Sequence, residues 1–168
     1  MQNTTPAVGL AATYFPAVNC SLAQISPLSY DWTALNAKVD TMVAAGTTNQ
    51  PIGLVWGWHA LSQGDPLNAP TPAANTQKIV IILTDGLNTQ NRWTTNQASI
   101  DARETLVCTN MKAAGITIYT ILVMAGNSTV LQNCATDPSK YFALSSTGQI
   151  STTFNAIGTA LAKLRIEK

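Results

Sequence analysis

The run Lys78-Ile-Val-Ile-Ile-Leu-Thr-Asp-Gly86 constrains this chain more than any other segment. Its apolar residues, Ile79 to Leu83, are mostly β-branched and stop abruptly at Thr84, Asp85 and Gly86. A short apolar run ended by a turn signal reads as a strand buried on both faces, as in a parallel sheet. Open α/β sheets take ligands in the crevice beyond the carboxyl ends of their strands, so a carboxylate at that end is a candidate binding group. Gly86 permits a sharp turn and keeps the space beside Asp85 clear of a side chain. The plain alternative is a strand followed by an ordinary Asp-Gly turn.

Helical and strand signals alternate around this run. Residues 1–28 contain Pro6, Pro16 and Pro27 without sustained periodicity, and are expected to be an irregular N-terminal segment; residues 29–168 are expected to form the domain. Asp31 can cap a helix with Trp32, Leu35, Val39 and Met42 on one stripe, closed by Gly46. Pro51 suits the first turn of a second helix carrying Leu54, Val55, Trp58 and Leu61. Residues 64–74, with Pro66, Pro70 and Pro72, read as a surface loop. After the strand at 78–84, a helix opens near Ser99, carries Leu106, Val107 and Met111, and ends at Gly115. Residues 116–123 form a second β-rich run, a short helix spans 130–135, and a brief strand spans 141–144. Ser146 and Gln149 have the spacing of a capping box before a last helix with Ile150, Phe154, Ile157, Leu161 and Leu164 on its apolar face. Such alternation implies parallel strands with helices on both faces of the sheet.

Composition removes several function classes. Apolar residues are 46% of the 168 and charged residues only 10%. Nine basic and eight acidic residues give +1 with no basic block, which argues against nucleic-acid binding through phosphate neutralisation. No apolar stretch reaches the roughly 18 residues needed to cross a bilayer, and Met1 to Pro6 lacks the features of a secretory signal. Cys20, Cys108 and Cys134 are too widely spaced for a metal-ligand pair. They are open to two readings, three buried thiols or one disulfide with an odd cysteine left over.

Ile79-Val-Ile-Ile-Leu-Thr-Asp-Gly86, preceded by Ala45-Gly-Thr-Thr-Asn49 at the mouth of a helix, resembles the second half of a von Willebrand factor A domain. Four further segments narrow the likeness: Gly53-Leu-Val-Trp-Gly-Trp58, Thr84-Asp-Gly-Leu-Asn-Thr-Gln-Asn-Arg-Trp93, Cys108-Thr-Asn-Met-Lys-Ala-Ala-Gly-Ile-Thr-Ile-Tyr-Thr120, and Leu131-Gln-Asn-Cys134 with Tyr141-Phe142. Together, over roughly residues 20 to 166, they are similar to the TadG-like proteins of tight-adherence (Flp) pilus assembly. The resemblance implies a three-layer, Rossmann-like α/β fold with a mostly parallel sheet. It also implies an extracytoplasmic address, in the periplasm or at the cell surface, as part of a membrane-anchored longer protein. In that compartment a disulfide persists, and the helices bearing Cys108 and Cys134 flank one strand in sequence, so a Cys108–Cys134 bond is expected, with Cys20 left over.

The family's metal-ion-dependent adhesion site joins an Asp-x-Ser-x-Ser segment, a loop threonine and the aspartate of Thr-Asp-Gly. By motif, Thr48 matches the threonine and Asp85 the aspartate, oxygen ligands suited to Mg²⁺ or Mn²⁺. No Asp-x-Ser-x-Ser segment occurs here; Asp137-Pro-Ser139 is the nearest imitation and follows the second β-rich run. The chain is then either the C-terminal portion of a longer protein or a member without that first strand. A single carboxylate and a hydroxyl bind Mg²⁺ weakly, so a metal is expected only in a longer form.

Other residues have plainer readings. His59, the single histidine, has no nucleophile motif beside it and reads as packing or surface. Trp56 and Trp58 cannot share a helical face, so one is expected in the core and one partly exposed. Asp101 and Glu104, beside Arg103, read as a solvated helix face. Asn88, Asn91 and Arg92 read as a polar loop that can line the crevice beside Asp85. Three functions remain: a non-enzymatic adhesion or assembly module of a pilus system, meeting a protein partner through the crevice; a metal-assisted hydrolase or phosphoryl-transfer domain, for which no P-loop or nucleophile–base pair is present; and a structural domain with a vestigial site.

Overall fold

The computed structural model describes residues 23–166. Within that span α1 (Trp32–Asp40) and α2 (Gln50–Ala60) precede β1 (Lys78–Thr84), α3 (Gln97–Ala113) and β2 (Ile116–Val123). α4 (Ser128–Cys134), β3 (Tyr141–Leu144) and α5 (Ile150–Ile166) complete the order. The expected irregular segment 1–28 and its cysteine, Cys20, lie largely or wholly outside the described residues; 23–31 carry no regular element.

The chain divides into two compact units, with α1 inside Asp31–Gly46 in one, and Ile25–Tyr30 with everything from Thr47 onward in the other. In the first, the Asp31 carboxylate accepts a hydrogen bond from the Ala34 amide at 2.9 Å and starts α1. The helix stops at Thr41, short of the expected Gly46, and none of its residues is buried. Its apolar stripe is open to solvent, with Trp32, Val39 and Met42 all more than half exposed.

The second unit is the α/β domain. Its three described strands run parallel in the order β1-β2-β3, with Val80 opposite Ile118 and Thr120 opposite Tyr141. β2 is central, and its alternating side chains feed two cores. Ile116 and Ile118 point to one face, where Leu54 of α2, Cys108 and Met111 of α3 and Cys134 of α4 cover them. Tyr119, Ile121 and Val123 point to the other, where they cluster with Leu144 of β3 and Ile157 of α5. Helices therefore cover both faces, a three-layer arrangement.

β1 departs from the expectation of full burial. Its first five residues are half-buried and Leu83 is exposed. The reason is position: no described strand pairs with its outer edge, so only β2 and the helices shield it. The helix after β1 begins at Asn96, whose side chain accepts from the Ser99 amide, and Gly115 at φ +76° turns the chain into β2. Leu106, expected on the buried side of that helix, is exposed. Gln149 takes the Ser145 and Ser146 amides on its side-chain oxygen and so opens α5. Along α5, Ile157 is buried, Ile150 and Leu161 are partly buried and Phe154 is 41% exposed. Trp56 and Trp58 are both half-buried rather than divided between core and surface, with Trp58 against the first core and Trp56 against His59.

Cys108 and Cys134 form a disulfide with Cα atoms 5.1 Å apart, inside the first core. It closes a loop of 26 residues and clamps α3 to α4 across β2. Replacing both cysteines (Cys108→Ser with Cys134→Ser) is expected to lower the unfolding free energy by roughly 3 kcal/mol through restored chain entropy and lost packing. Urea unfolding of the oxidised protein against the double variant measures this, and a loss below about 1 kcal/mol would show that the bond contributes little.

Candidate functional site

The carboxyl ends of β1 and β2 and the starts of α2 and α5 enclose a crevice of about 450 Å³. Thr48, Asn49 and Gln50 line it from one side, Thr84 and Asp85 from β1, and Val123, Thr147 and Ile150 from the other. Thr48 and Asp85 thus border the same cavity.

The loop after β1 builds the wall by pairing with the segment before α2. The Thr48 amide donates to the Thr89 hydroxyl at 2.8 Å, and the Thr48 carbonyl accepts from the Thr89 amide at 2.9 Å. The Gln50 amide, one of the unpaired donors at the start of α2, donates to the Asn88 side-chain oxygen at 2.8 Å. Gln50's own side-chain amide donates to the Thr84 hydroxyl at 3.1 Å and to the Gly86 carbonyl at 3.0 Å. The Thr84 hydroxyl is therefore engaged, while the exposed Asp85 carboxylate makes no hydrogen bond or ion pair with another described residue. On the far side Gly126, at φ +150°, passes so close that an added Cβ would meet the Gly86 carbonyl at 3.1 Å and Leu122 at 2.5 Å. Any side chain there would push the two loops apart.

These residues do not fit a complete Mg²⁺ site. The crevice supplies one carboxylate and several neutral oxygens, and Gln50 turns N–H donors toward Thr84. Mg²⁺ sheds its water reluctantly and favours carboxylates in near-octahedral order. Among the described residues no cluster of three acidic, histidine or cysteine side chains has metal-binding geometry. Asp137 does not contribute: it accepts from the Ser139 amide at 2.9 Å and pairs with Lys140, which holds its carboxyl below the ordinary value. His59, against Trp56 with ring centroids 5.7 Å apart, is not among the residues lining the crevice.

Behind the crevice lies a cluster that the spacing of its members concealed. Asp101 and Glu104 do not form a solvated face; they are 8% and 0% exposed. Asn88 does not line the crevice either, but is buried between it and α3, donating to Asp101 at 2.8 Å and to Glu104 at 2.6 Å. Asn127, which also caps α4, donates to the other Asp101 oxygen at 2.8 Å. Asn91, likewise buried, accepts from the Trp93 and Thr94 amides and shapes the loop. Arg92 and Arg103 lie over the exposed Trp93 ring at 5.8 and 5.3 Å. Burial pushes the Glu104 carboxyl up to about 7, with Asn88 opposing and Asp101 reinforcing the rise. One signal in the sequence pointed this way: Glu104 sits on the helical stripe of Ile100, Cys108 and Met111.

No protein-family model matches the chain, and no curated protein matches it. Among solved structures, the fold is similar to proximal thread matrix protein 1 of the mussel byssus, at TM-score 0.53 and 21% identity in one crystal form. A second structure of that protein, with a zinc-occupied MIDAS motif, aligns at TM-score 0.53 and 22% identity. The likeness covers 74% of this chain and 28% of that one, so the chain spans little more than a quarter of its neighbour's length. The shared feature is the fold, which is von Willebrand A-like.

Asn88→Ala tests the wall. It removes the donor shared by two buried carboxylates and leaves the Gln50 amide without its acceptor, a combined cost of at least about 2 kcal/mol. Thr89→Ala, at an exposed position, is expected to cost less than about 1 kcal/mol. Thermal or urea unfolding of the two variants compares them directly.

Proposed function

We propose that this chain is a non-enzymatic adhesion or assembly module of the TadG-like, tight-adherence pilus kind, which meets a protein partner through the crevice bordered by Thr48 and Asp85. The observation that carries the reading is the placement of an unpaired, exposed carboxylate at the carboxyl edge of a parallel sheet in a von Willebrand A-like fold. An extracytoplasmic place of work is supported by the Cys108–Cys134 disulfide, since reducing compartments disfavour such bonds. Among the described residues no helix is long and apolar enough to cross a membrane. A place within a membrane-anchored longer protein is part of the same proposal and rests on the TadG-like resemblance alone.

A binding role also suits the chemistry at hand. Acyl or phosphoryl transfer needs a nucleophile held by a base, or paired metal ligands. The crevice offers threonine hydroxyls, amides and Asp85, with no base beside a nucleophile among its lining residues. The Gln50 side chain across Thr84 favours a second reading, in which the crevice is a structural remnant.

Metal binding separates the two. The 168-residue chain is expected to bind Mg²⁺ feebly or not at all, and a version extended upstream with an Asp-x-Ser-x-Ser segment to bind it. In that longer version Asp85→Ala should abolish binding, because no neighbouring carboxylate replaces it. Calorimetry that finds tight binding by the shorter chain, or binding unaffected by Asp85→Ala in the longer one, would refute the site assignment. No binding by either version would leave the structural reading standing.

A further inference from the structure

The buried cluster behind the crevice has an unequal distribution of donors. Asp101 is met on both oxygens, by Asn88 and Asn127 at 2.8 Å each and by Gln97 at 3.3 Å. Glu104 receives only the second N–H of Asn88, on Oε2, and its Oε1 is buried with no partner. One negative charge is therefore solvated by the protein and a second is not. A buried carboxylate without donors costs far more than a buried neutral acid. The unequal supply of donors favours a neutral Glu104 over an ionised one.

The same amide also ties down the wall of the crevice from behind. Asn88 spends both of its N–H groups on the two acids and its oxygen on the Gln50 amide at the start of α2. Whatever disturbs the acid pair is felt one hydrogen bond later by the segment that carries Thr48. We infer that Asn88, Asp101 and Glu104 form a proton-operated latch on the crevice: with Glu104 protonated the loop after β1 is tied to α3 and to the start of α2, and ionisation of Glu104 loosens that tie. This regulation acts on the crevice assigned above, but its geometry and its test need neither metal nor partner.

Other charged groups do not supply the effect. Of the elements packed on α3, α2 brings one titratable residue, His59, at its far end against Trp56, and α4 brings none. β2 brings Tyr119, which belongs to the opposite core beneath Lys140. On α3 itself Arg103 lies over Trp93, and Lys112 donates to the carbonyls of Asn133 and Ala135. Within the loop, Arg92 lies over the same ring and Asp85 is exposed in the crevice.

The sign follows from linkage. Because the folded carboxyl titrates near 7 against an ordinary 4.5, the latch is strongest at low pH and weakens as pH rises through 7. If local opening returns Glu104 to water, the opening equilibrium rises about tenfold between roughly pH 6 and pH 8. Amide exchange of Gln50 followed by NMR, corrected for intrinsic rates, is expected to show protection falling about tenfold over that range. Glu104→Gln should abolish the fall, and His59→Asn should leave it as in the unaltered chain. A flat profile in the unaltered chain, an equal fall in Glu104→Gln, or loss of the fall in His59→Asn would each overturn the latch. Should Glu104→Gln not fold, carbon NMR of the Glu104 carboxyl in the unaltered chain decides: a midpoint near 7 supports the latch, and one below about 5 overturns it.

Discussion

A carboxylate withdrawn from water must be met by donors, and that requirement organises the functional end of this domain. Asp101 and Glu104 face inward on α3, where the helix packs on β2 and α4. Besides Gln97 of α3 itself, the donors come from two loops distant in sequence, Asn88 after β1 and Asn127 after β2. Both loops leave the carboxyl ends of neighbouring strands, so satisfying the acids also fixes where those loops lie. Removing a partner from such a network is far more damaging than its small net contribution suggests. The crevice is shaped by this buried chemistry as much as by its own lining.

The disulfide acts on the same face of α3, one turn further along. Cys108 lies one turn beyond Glu104 on α3, and its bond to Cys134 fixes α3 against α4. α4 in turn is capped by Asn127, whose amide reaches Asp101. A covalent tie and a polar tie therefore hold the same two helices at successive levels. The Lys112 ammonium adds a third contact, donating to the carbonyls of Asn133 and Ala135 at the end of α4.

Much of the fold could be read directly from the chain, because strand and helix signals are local. The β-branched run 78–84 and the run 116–123 coincide with β1 and β2 in extent. The status of β1 as an edge could not be read, since an edge is defined by a neighbour that is or is not there. Asp101 and Glu104 were misread for a related reason. Charges three apart on a helix default to solvent, and the amides that overturn that default lie 13 and 26 residues away from Asp101. The pairing of Thr48 with Asp85 in one crevice came from the family resemblance, for no spacing rule links a loop before α2 to a turn after β1. Leu106 failed on geometry: it lies off the stripe of Ile100, Glu104, Cys108 and Met111 that faces the core.

What the crevice can recognise depends on how its one free charge is supplemented. Neutral hydroxyls and amides hold a divalent ion poorly, because each replaces a water molecule without neutralising charge. Asp85 supplies a single negative charge, and Gln50 occupies the Thr84 hydroxyl that would otherwise stand beside it. A ligand entering here must therefore displace the Gln50 side chain or bring its own charge. Displacement would leave the Thr84 hydroxyl on Gly86 alone, donating to its carbonyl at 3.2 Å and accepting from its amide at 3.3 Å, while the Gln50 backbone amide stays on Asn88. The side chain of Gln50 can thus move without breaking the tie that orders the wall. Occupancy of the crevice and integrity of its wall are in this way governed by different atoms of one residue.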